Sequence, residues 1–254
     1  MKNSNKQIDF SGKTFLVTGA TRGIGKQIAD DLADLGASLI LTGTNEREIK
    51  QLNKQAIESK IDKAYYAVNF VKDDQFLAFE KELNKYSKVD GLVNNAAINR
   101  LNHIQDIDQN DWDDMVKVNL TTPVKLLNSI SPKMIDQKYG RVVNIASIFG
   151  TISKEKRVAY SATKFGIHGL TVGASNDLAK HNILINTVSP GFVLTDLTKK
   201  NLSEKEIKDL KDQIPVKRLA NTSDISSVVI FLLSDLNQYL TGQNIIVDGG
   251  FTNI

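Results

Sequence analysis

The sequence predicts a single α/β domain, a doubly wound parallel sheet with helices on both faces. Three observations predict it. Short, near-continuous apolar runs alternate with amphipathic segments along all 254 residues, the pattern of strands buried on both faces. A glycine-rich turn, Gly19-Ala20-Thr21-Arg22-Gly23-Ile24-Gly25, stands between the first apolar run and the first amphipathic one. Only four prolines occur and no Ser/Pro-rich linker divides the chain, so one domain accounts for residues 1–254.

Each element follows from its local pattern. Phe15–Thr18 reads as the first strand, and a helix over Gly23–Leu35 follows, with Gly36 as its C-terminal cap. Ser38–Thr42 is the second strand and Glu46–Ser59 a helix. Ala64–Val68 is the third strand, Asp73–Tyr86 a helix and Gly91–Asn94 the fourth strand. Asp111–Met134 is a long helical stretch in which Pro123 and Pro132 mark kinks or breaks. Arg141–Ala146 is the fifth strand, Ala159–Lys180 a helix and Ile183–Val188 the sixth strand. After Pro190-Gly191 the periodicity loosens, and the polar stretch Thr195–Leu219 reads as a mobile substrate lid. A helix over Asp224–Leu233 and a strand over Asn244–Val247 close the pattern.

Composition narrows the function. With 41% hydrophobic and 24% charged residues and a net charge of +3, the chain is an ordinary soluble globular one. No basic stripe interleaved with aromatics occurs, which argues against nucleic acid. The absence of cysteine excludes disulfides, zinc–thiolate sites and thiol nucleophiles, and fits a cytoplasmic location. Met1–Asp9 is polar and lacks the apolar core of a signal peptide. No apolar run approaches the ~18 residues of a membrane span. His103, His168 and His181 are far apart and make no metal motif.

The glycine turn carries the first chemistry. Glycines between strand and helix bring backbone amides close to a pyrophosphate at the positive helix N-terminus, the Rossmann arrangement. The spacing Gly-x-x-x-Gly-x-Gly departs from the usual Gly-x-Gly-x-x-Gly. An acid at the end of the second strand would hold the ribose 2′-hydroxyl of NAD. Leu41-Thr42-Gly43-Thr44-Asn45 offers none, and Glu46 comes late, at the start of a helix. Arg22 stands in the turn, where a guanidinium grips a 2′-phosphate, and Thr44 adds a neutral hydrogen bond. The balance favours NADP(H) over NAD(H).

Tyr160 and Lys164 carry the second. They lie four apart on one helix face, with Ser147 thirteen residues before Tyr160. A free phenol, with a pKa of about 10, exchanges protons poorly at neutral pH. A neighbouring ammonium stabilises the phenolate and brings it into range.

Together these residues resemble the short-chain dehydrogenase/reductase family, from Ser11 to Gly250. Thr18–Gly25 matches its glycine turn, and Asn94-Asn95-Ala96-Ala97 its Asn-Asn-Ala-Gly signature, with Ala97 for the last glycine. The resemblance implies an active-site tetrad of Asn119 (in Val118-Asn119-Leu120), Ser147, Tyr160 and Lys164. It also implies a nicotinamide contact along Pro190-Gly191-Phe192-Val193-Leu194-Thr195, with Val193 holding the carboxamide through its backbone and Thr195 nearby. Asn69-Phe70 stands where the family places Asp-Val against adenine, and Asn95 and Ala96 line the cofactor. The implied reaction is hydride transfer between a nicotinamide and a carbonyl carbon. Ser147 polarises the carbonyl, Tyr160 protonates it, Lys164 lowers the phenol and binds ribose, and Asn119 holds a linking water.

Within the family the chain looks most like 3-oxoacyl-acyl-carrier-protein reductases, including Tyr239–Gln243 and Val247–Gly250. That likeness makes an acyl carrier protein a partner, docked on Lys138 and Arg141. Asn176, Asp177 and His181 after the catalytic helix, and the charged loop Ser153–Arg157, leave room for a sugar, polyol or other polar substrate. A nucleotide-sensing scaffold is the non-enzymatic alternative. The family resemblance also implies a homotetramer, built through the helices of Asp111–Met134 and Ala159–Lys180 and the C-terminal region, with Phe251–Ile254 fitting such a contact.

Overall fold

A computed structural model describes residues 8–195, 198, 200 and 203–253. Seven strands form one parallel sheet: β1 Thr14–Val17, β2 Ser38–Gly43, β3 Lys63–Ala67, β4 Gly91–Asn94, β5 Gly140–Ile145, β6 Ile183–Pro190 and β7 Asn244–Val247. Their order is β3-β2-β1-β4-β5-β6-β7. The order reverses between β1 and β4, which opens a crevice beyond the carboxyl ends of these strands.

Alternate strand residues face opposite cores, as a period of two requires. Phe15, Val17, Leu39, Leu41, Val93, Val143 and Val188 pack on one side against α1 (Gly23–Asp34) and a helix over Thr222–Leu233. Leu16, Ile40, Leu92, Val142, Ile183 and Ile185 pack on the other. There they meet Phe76, Phe79 and Leu83 of α3 (Asp73–Asn84) and Leu126, Ile130 and Met134 of α5 (Thr122–Gln137). The remaining helices are α2 (Glu46–Glu58), α4 (Gln109–Val116), α6 (Val158–Leu178) and α7 (Glu204–Gln213), so that Thr222–Leu233 is α8. Among the described residues no helix is long and apolar enough to cross a membrane.

The sequence pattern located every strand to within two residues, but three segments differ from expectation. The stretch over Asp111–Met134 is not broken at a proline. It runs from α4 into α5 through a π-helical turn, Lys117–Thr121. Pro123 has no N–H to offer the carbonyl of Asn119, four residues earlier, and the wider turn absorbs that loss. Pro132 sits inside α5. The second difference is a 3-10 turn at Ile148–Gly150, which has no periodic signal of its own.

The third is the proposed lid. Residues 196, 197, 199, 201 and 202 lie outside the described residues. Beyond them the segment is not shapeless: α7 begins with a capping box between Ser203 and Glu206. No residue of α7 is buried, whereas Ile214 and Leu219 are. Val193 bridges Ala220 in parallel.

Candidate active site

The glycine turn is braced from beneath. Thr18 Oγ1 accepts from the backbone N–H of Asn95 and of Ala96, at 3.0 Å each. Asn95 Nδ2 donates to the carbonyls of Thr18 (2.9 Å) and Gly19 (3.1 Å). A Cβ on Gly25 would overlap both the Gly19 carbonyl and Asn95, so only glycine lets α1 approach this closely. Gly19 and Gly23 both have positive φ, +64° and +57°. Asn95 was expected to line the cofactor; its amide is occupied in holding the turn that would.

The first turn of α1 is open to an anion. α2, α4 and α7 have side-chain caps, from Asn45, Asp108 and Ser203. In α1 the N-cap is Arg22, with no side-chain cap and no acid in the first turn. Uncapped amides, glycine access and the positive helix end suit a pyrophosphate, so the residues present fit a dinucleotide.

The end of β2, at Gly43-Thr44-Asn45, carries no acid. Gly43, Thr44 and Asn45 follow β2, and Asn45 Oδ1 is engaged by the N–H groups of Arg47 and Glu48. Glu46 is drawn away to Lys50 at 2.9 Å, which holds its carboxyl below the usual range. Arg22 is exposed, with no ion pair among the described residues. Arg47, which sequence reasoning passed over, shares both properties and lies in the first turn of α2. Thr21 packs on Gly43, joining the glycine turn to the end of β2. Asn69 Oδ1 accepts from the Val71 N–H at 3.1 Å, which leaves Nδ2 as its donor. The Phe70 side chain is buried against Phe76 and Phe79, so any adenine contact there is through backbone. Ile24 packs partly into the core.

Ser147, Tyr160 and Lys164 converge beyond the carboxyl end of β5. Ser147 caps the 3-10 turn, its Oγ accepting from the Phe149 N–H at 3.2 Å. Gly150 presses this turn on α6: a Cβ there would lie 2.6 Å from the Lys164 carbonyl. Tyr160 and Lys164 stand one turn apart on α6, with Lys164 Nζ 5.6 Å from the Tyr160 ring centroid. Lys164 is 3% exposed, and burial pushes its ammonium down to about 8. It donates to the Ile145 carbonyl at 2.8 Å.

Burial pushes the Tyr160 phenol up, and the facing Ser147 hydroxyl and the Arg157 charge oppose it. The Lys164 ammonium is bonded to the Ile145 carbonyl, and Arg157 is the cation that opposes the rise. Asn119 is 1% exposed. Its Nδ2 donates to the Ile98 carbonyl (2.8 Å) and to Thr163 Oγ1 (3.1 Å), and its Oδ1 accepts from the Ile98 N–H (2.8 Å). Asn119 therefore ties the loop after β4 to α6, next to the residue that precedes Lys164.

The Pro190–Thr195 segment closes over the glycine turn. Gly191 N–H bonds the Val247 carbonyl at 2.9 Å, and Phe192 stacks edge-on against Phe251 at 5.1 Å. The Val193 carbonyl accepts from the Thr195 N–H (3.0 Å) and Thr198 Oγ1 (2.8 Å). Thr195 Cγ2 lies 3.7 Å from where a Gly23 Cβ would be. The glycine turn, Ser147–Tyr160–Lys164 and Val193 thus flank one crevice.

Residues 19–252 match the family profile described as Enoyl-(Acyl carrier protein) reductase, a short-chain dehydrogenase profile. A 3-oxoacyl-[acyl-carrier-protein] reductase of Aquifex aeolicus is 39% identical over 246 residues, 96% of this chain and 99% of that one. One from Staphylococcus epidermidis is 36% identical over 241 residues, 94% and 98% of the two chains. The chain belongs to the short-chain dehydrogenase/reductase family. Among solved structures, a gluconate 5-dehydrogenase from Burkholderia cenocepacia in complex with NADP and tartrate superposes with a TM-score of 0.89. It is 27% identical and covers 97% of each chain. As a short-chain dehydrogenase/reductase the protein is an oxidoreductase acting on CH–OH and C=O groups, which removes the scaffold alternative.

The expected carrier-protein contacts do not survive. Lys138 and Arg141 flank the start of β5, and Ser147 lies beyond its other end, about 20 Å away at ~3.3 Å per residue. Arg141 is also 3% exposed, stacked on Tyr139 with its guanidinium bonded to the Gly140 and Asn182 carbonyls. Sequence proximity to a site element had not specified which end of the strand faces the site. Phe251, expected at a subunit contact, packs on Phe192 of its own chain, and Ile254 lies outside the described residues.

Proposed function

We propose that this short-chain dehydrogenase/reductase is an NADP(H)-dependent carbonyl reductase, with Tyr160 as its proton donor and Ser147, Lys164 and Asn119 completing the site. The convergence of the Ser147 hydroxyl, Tyr160 phenol and Lys164 ammonium beside the open α1 N-terminus carries this reading. Bound nicotinamide supplies the hydride that reaches the carbonyl carbon. Ser147 donates to the carbonyl oxygen and fixes its position. Tyr160, kept protonated by burial, delivers its proton to that oxygen as negative charge develops. Lys164 is charged below pH 8 and stabilises the phenolate left behind. Asn119 holds α6 in register with the loop after β4. The glycine turn (Gly19, Thr21, Gly23, Ile24, Gly25) and Ala96 cradle the pyrophosphate. Pro190, Gly191, Val193 and Thr195 position the carboxamide, and Lys164 the ribose. Arg22 and Thr44 hold the 2′-phosphate, and Arg47 adds a second cation.

The names of the curated relatives support 3-oxoacyl thioesters as the first substrates to test, with an acyl carrier protein as partner. The charged loop before α6 supports a second reading, a small polar substrate. The outward face of α6, where exposed Phe165 and Val172 flank Gly169 and Gly173, supports a homotetramer through α5 and α6.

A panel of 3-oxoacyl thioesters, oxo acids, sugars and polyols assayed with NADPH and NADH tests the reading. Turnover of at least one carbonyl, faster with NADPH, is expected; inertness toward every class would reject it. Arg22→Ala should weaken NADPH binding by about 1.5–3 kcal/mol and leave NADH almost unchanged. Equal loss for both would assign Arg22 to the turn itself, and wild-type preference for NADH would overturn the NADP(H) assignment.

A further inference from the structure

The reaction scheme above leaves Arg157 without a task. It opens α6 one turn before Tyr160. Its guanidinium carbon lies 5.0 Å from the Phe149 ring centroid and 6.0 Å from that of Tyr160. Its Nε is buried with no hydrogen-bond partner. Among the described residues the Arg157 side chain makes no ion pair and no hydrogen bond.

No carboxylate pairs with Arg157 among the described residues. Glu155, in the same loop, faces His103 Nδ1 at 3.5 Å. Asp111 and Asp114 both bind Arg100, at 2.6 and 2.8 Å. Lys154 adds a second cation 5.8 Å from the Phe149 centroid. Two cations thus face the ring two residues from Ser147, and neither has an ion pair among the described residues. Arg157 is half-buried, and its Nε is shut off from water without a partner, which is unfavourable; no ion pair compensates.

We propose that Arg157 receives the carboxylate of the substrate, so that the site selects small oxo acids and the matching hydroxy acids over neutral acyl chains. The inference rests on the carbonyl-reductase reading, because the carbonyl must sit on Ser147 and Tyr160 while the acid reaches Arg157. A planar guanidinium fork takes a carboxylate in two parallel hydrogen bonds. With the guanidinium carbon 6.0 Å from the Tyr160 ring centroid, the two groups lie close enough for a short oxo acid to bridge them through a hydrogen bond at each end. Lys154, exposed at the rim, draws the anion inward. A neutral acyl chain in the same place would cover this charge without answering it.

The test compares three- to six-carbon oxo acids with their methyl esters, using NADPH. Each pair shares a carbonyl and differs in one charge. Wild type should prefer the acid by about 10- to 100-fold in kcat/KM, the range of a charge-assisted hydrogen bond. In Arg157→Gln that ratio should fall close to one, and Arg157→Lys should retain part of it. The effect of Arg157 on the Tyr160 phenol acts on acid and ester alike and cancels in the ratio. NADPH binding reports whether each variant is folded; if the glutamine variant is not, the lysine variant carries the comparison. A wild-type ratio near one, or a ratio unchanged by either substitution, would overturn the proposal. Turnover of 3-oxoacyl thioesters with oxo acids inert would sink this inference alone, whereas no carbonyl turnover at all would sink the reading beneath it.

Discussion

Lys164 shows what a single residue contributes here and what it costs. Its ammonium is buried and pushed from 10.5 to about 8, so the folded protein binds fewer protons than the unfolded chain between pH 8 and 10.5. Stability then rises with pH across that window, and the penalty is fully present below pH 8. Lys164→Met removes the titration. Relative to wild type, that variant should lose about 2 to 3 kcal/mol of any stability advantage between pH 7 and pH 10, as read by urea unfolding. A difference independent of pH would show that the ammonium is better solvated than its burial implies. Residue-level legibility followed spacing. Tyr160, Lys164, Ser147 and the glycine turn stand at fixed intervals whose physical reasons need no tertiary knowledge. The bracing by Asn95 and Asn119 and the isolation of Arg157 depend on neighbours 21 to 77 positions away or on absent partners, and no local pattern encodes them.

At the level of elements, α7 is the one described helix that buries none of its residues while beginning with a full capping box. Its local signals make it a helix, and packing gives it little to stay for. The buried Ile214 and Leu219 form the anchor, so the moving part of the proposed lid ends at Gln213. In cofactor-free protein the amides of Glu204–Gln213 should exchange far faster than those of β5, and should slow when NADPH and substrate bind. Protection equal to that of β5 without ligand would make α7 fixed structure and move the gate to the loop Ser153–Arg157. The capping box was legible as Ser-x-x-Glu and was overlooked because the stretch lacks apolar periodicity. The π-helical turn was not legible: Pro123 signals a disturbance, but whether the chain breaks or widens is decided by the packing of Val118 and Leu126 on the core.

Over the whole molecule, the sheet order places every chemical feature at one edge. β1 delivers the glycine turn, β2 the adenosine end, β4 the bracing Asn95, β5 Ser147 and β6 the Pro190–Thr195 segment, all at carboxyl ends. That rule was available from the parallel pattern alone, and it is the rule that Lys138 and Arg141 break. The opposite edge has its own cluster, in which Lys13 bonds Tyr139 and Asp235 at 2.8 Å each beside the buried Arg141, a network closed on itself.

The central claim is that protons pass through Tyr160 at a site whose dinucleotide binding is built separately, by α1 and β6. Single-turnover reduction by NADPH, measured in wild type and Tyr160→Phe alongside NADPH affinity, tests it most directly. The account predicts a fall of about 10²- to 10⁴-fold in the reduction rate with NADPH affinity changed by no more than about twofold. A phenylalanine variant that kept its rate within a few-fold of wild type would contradict the account.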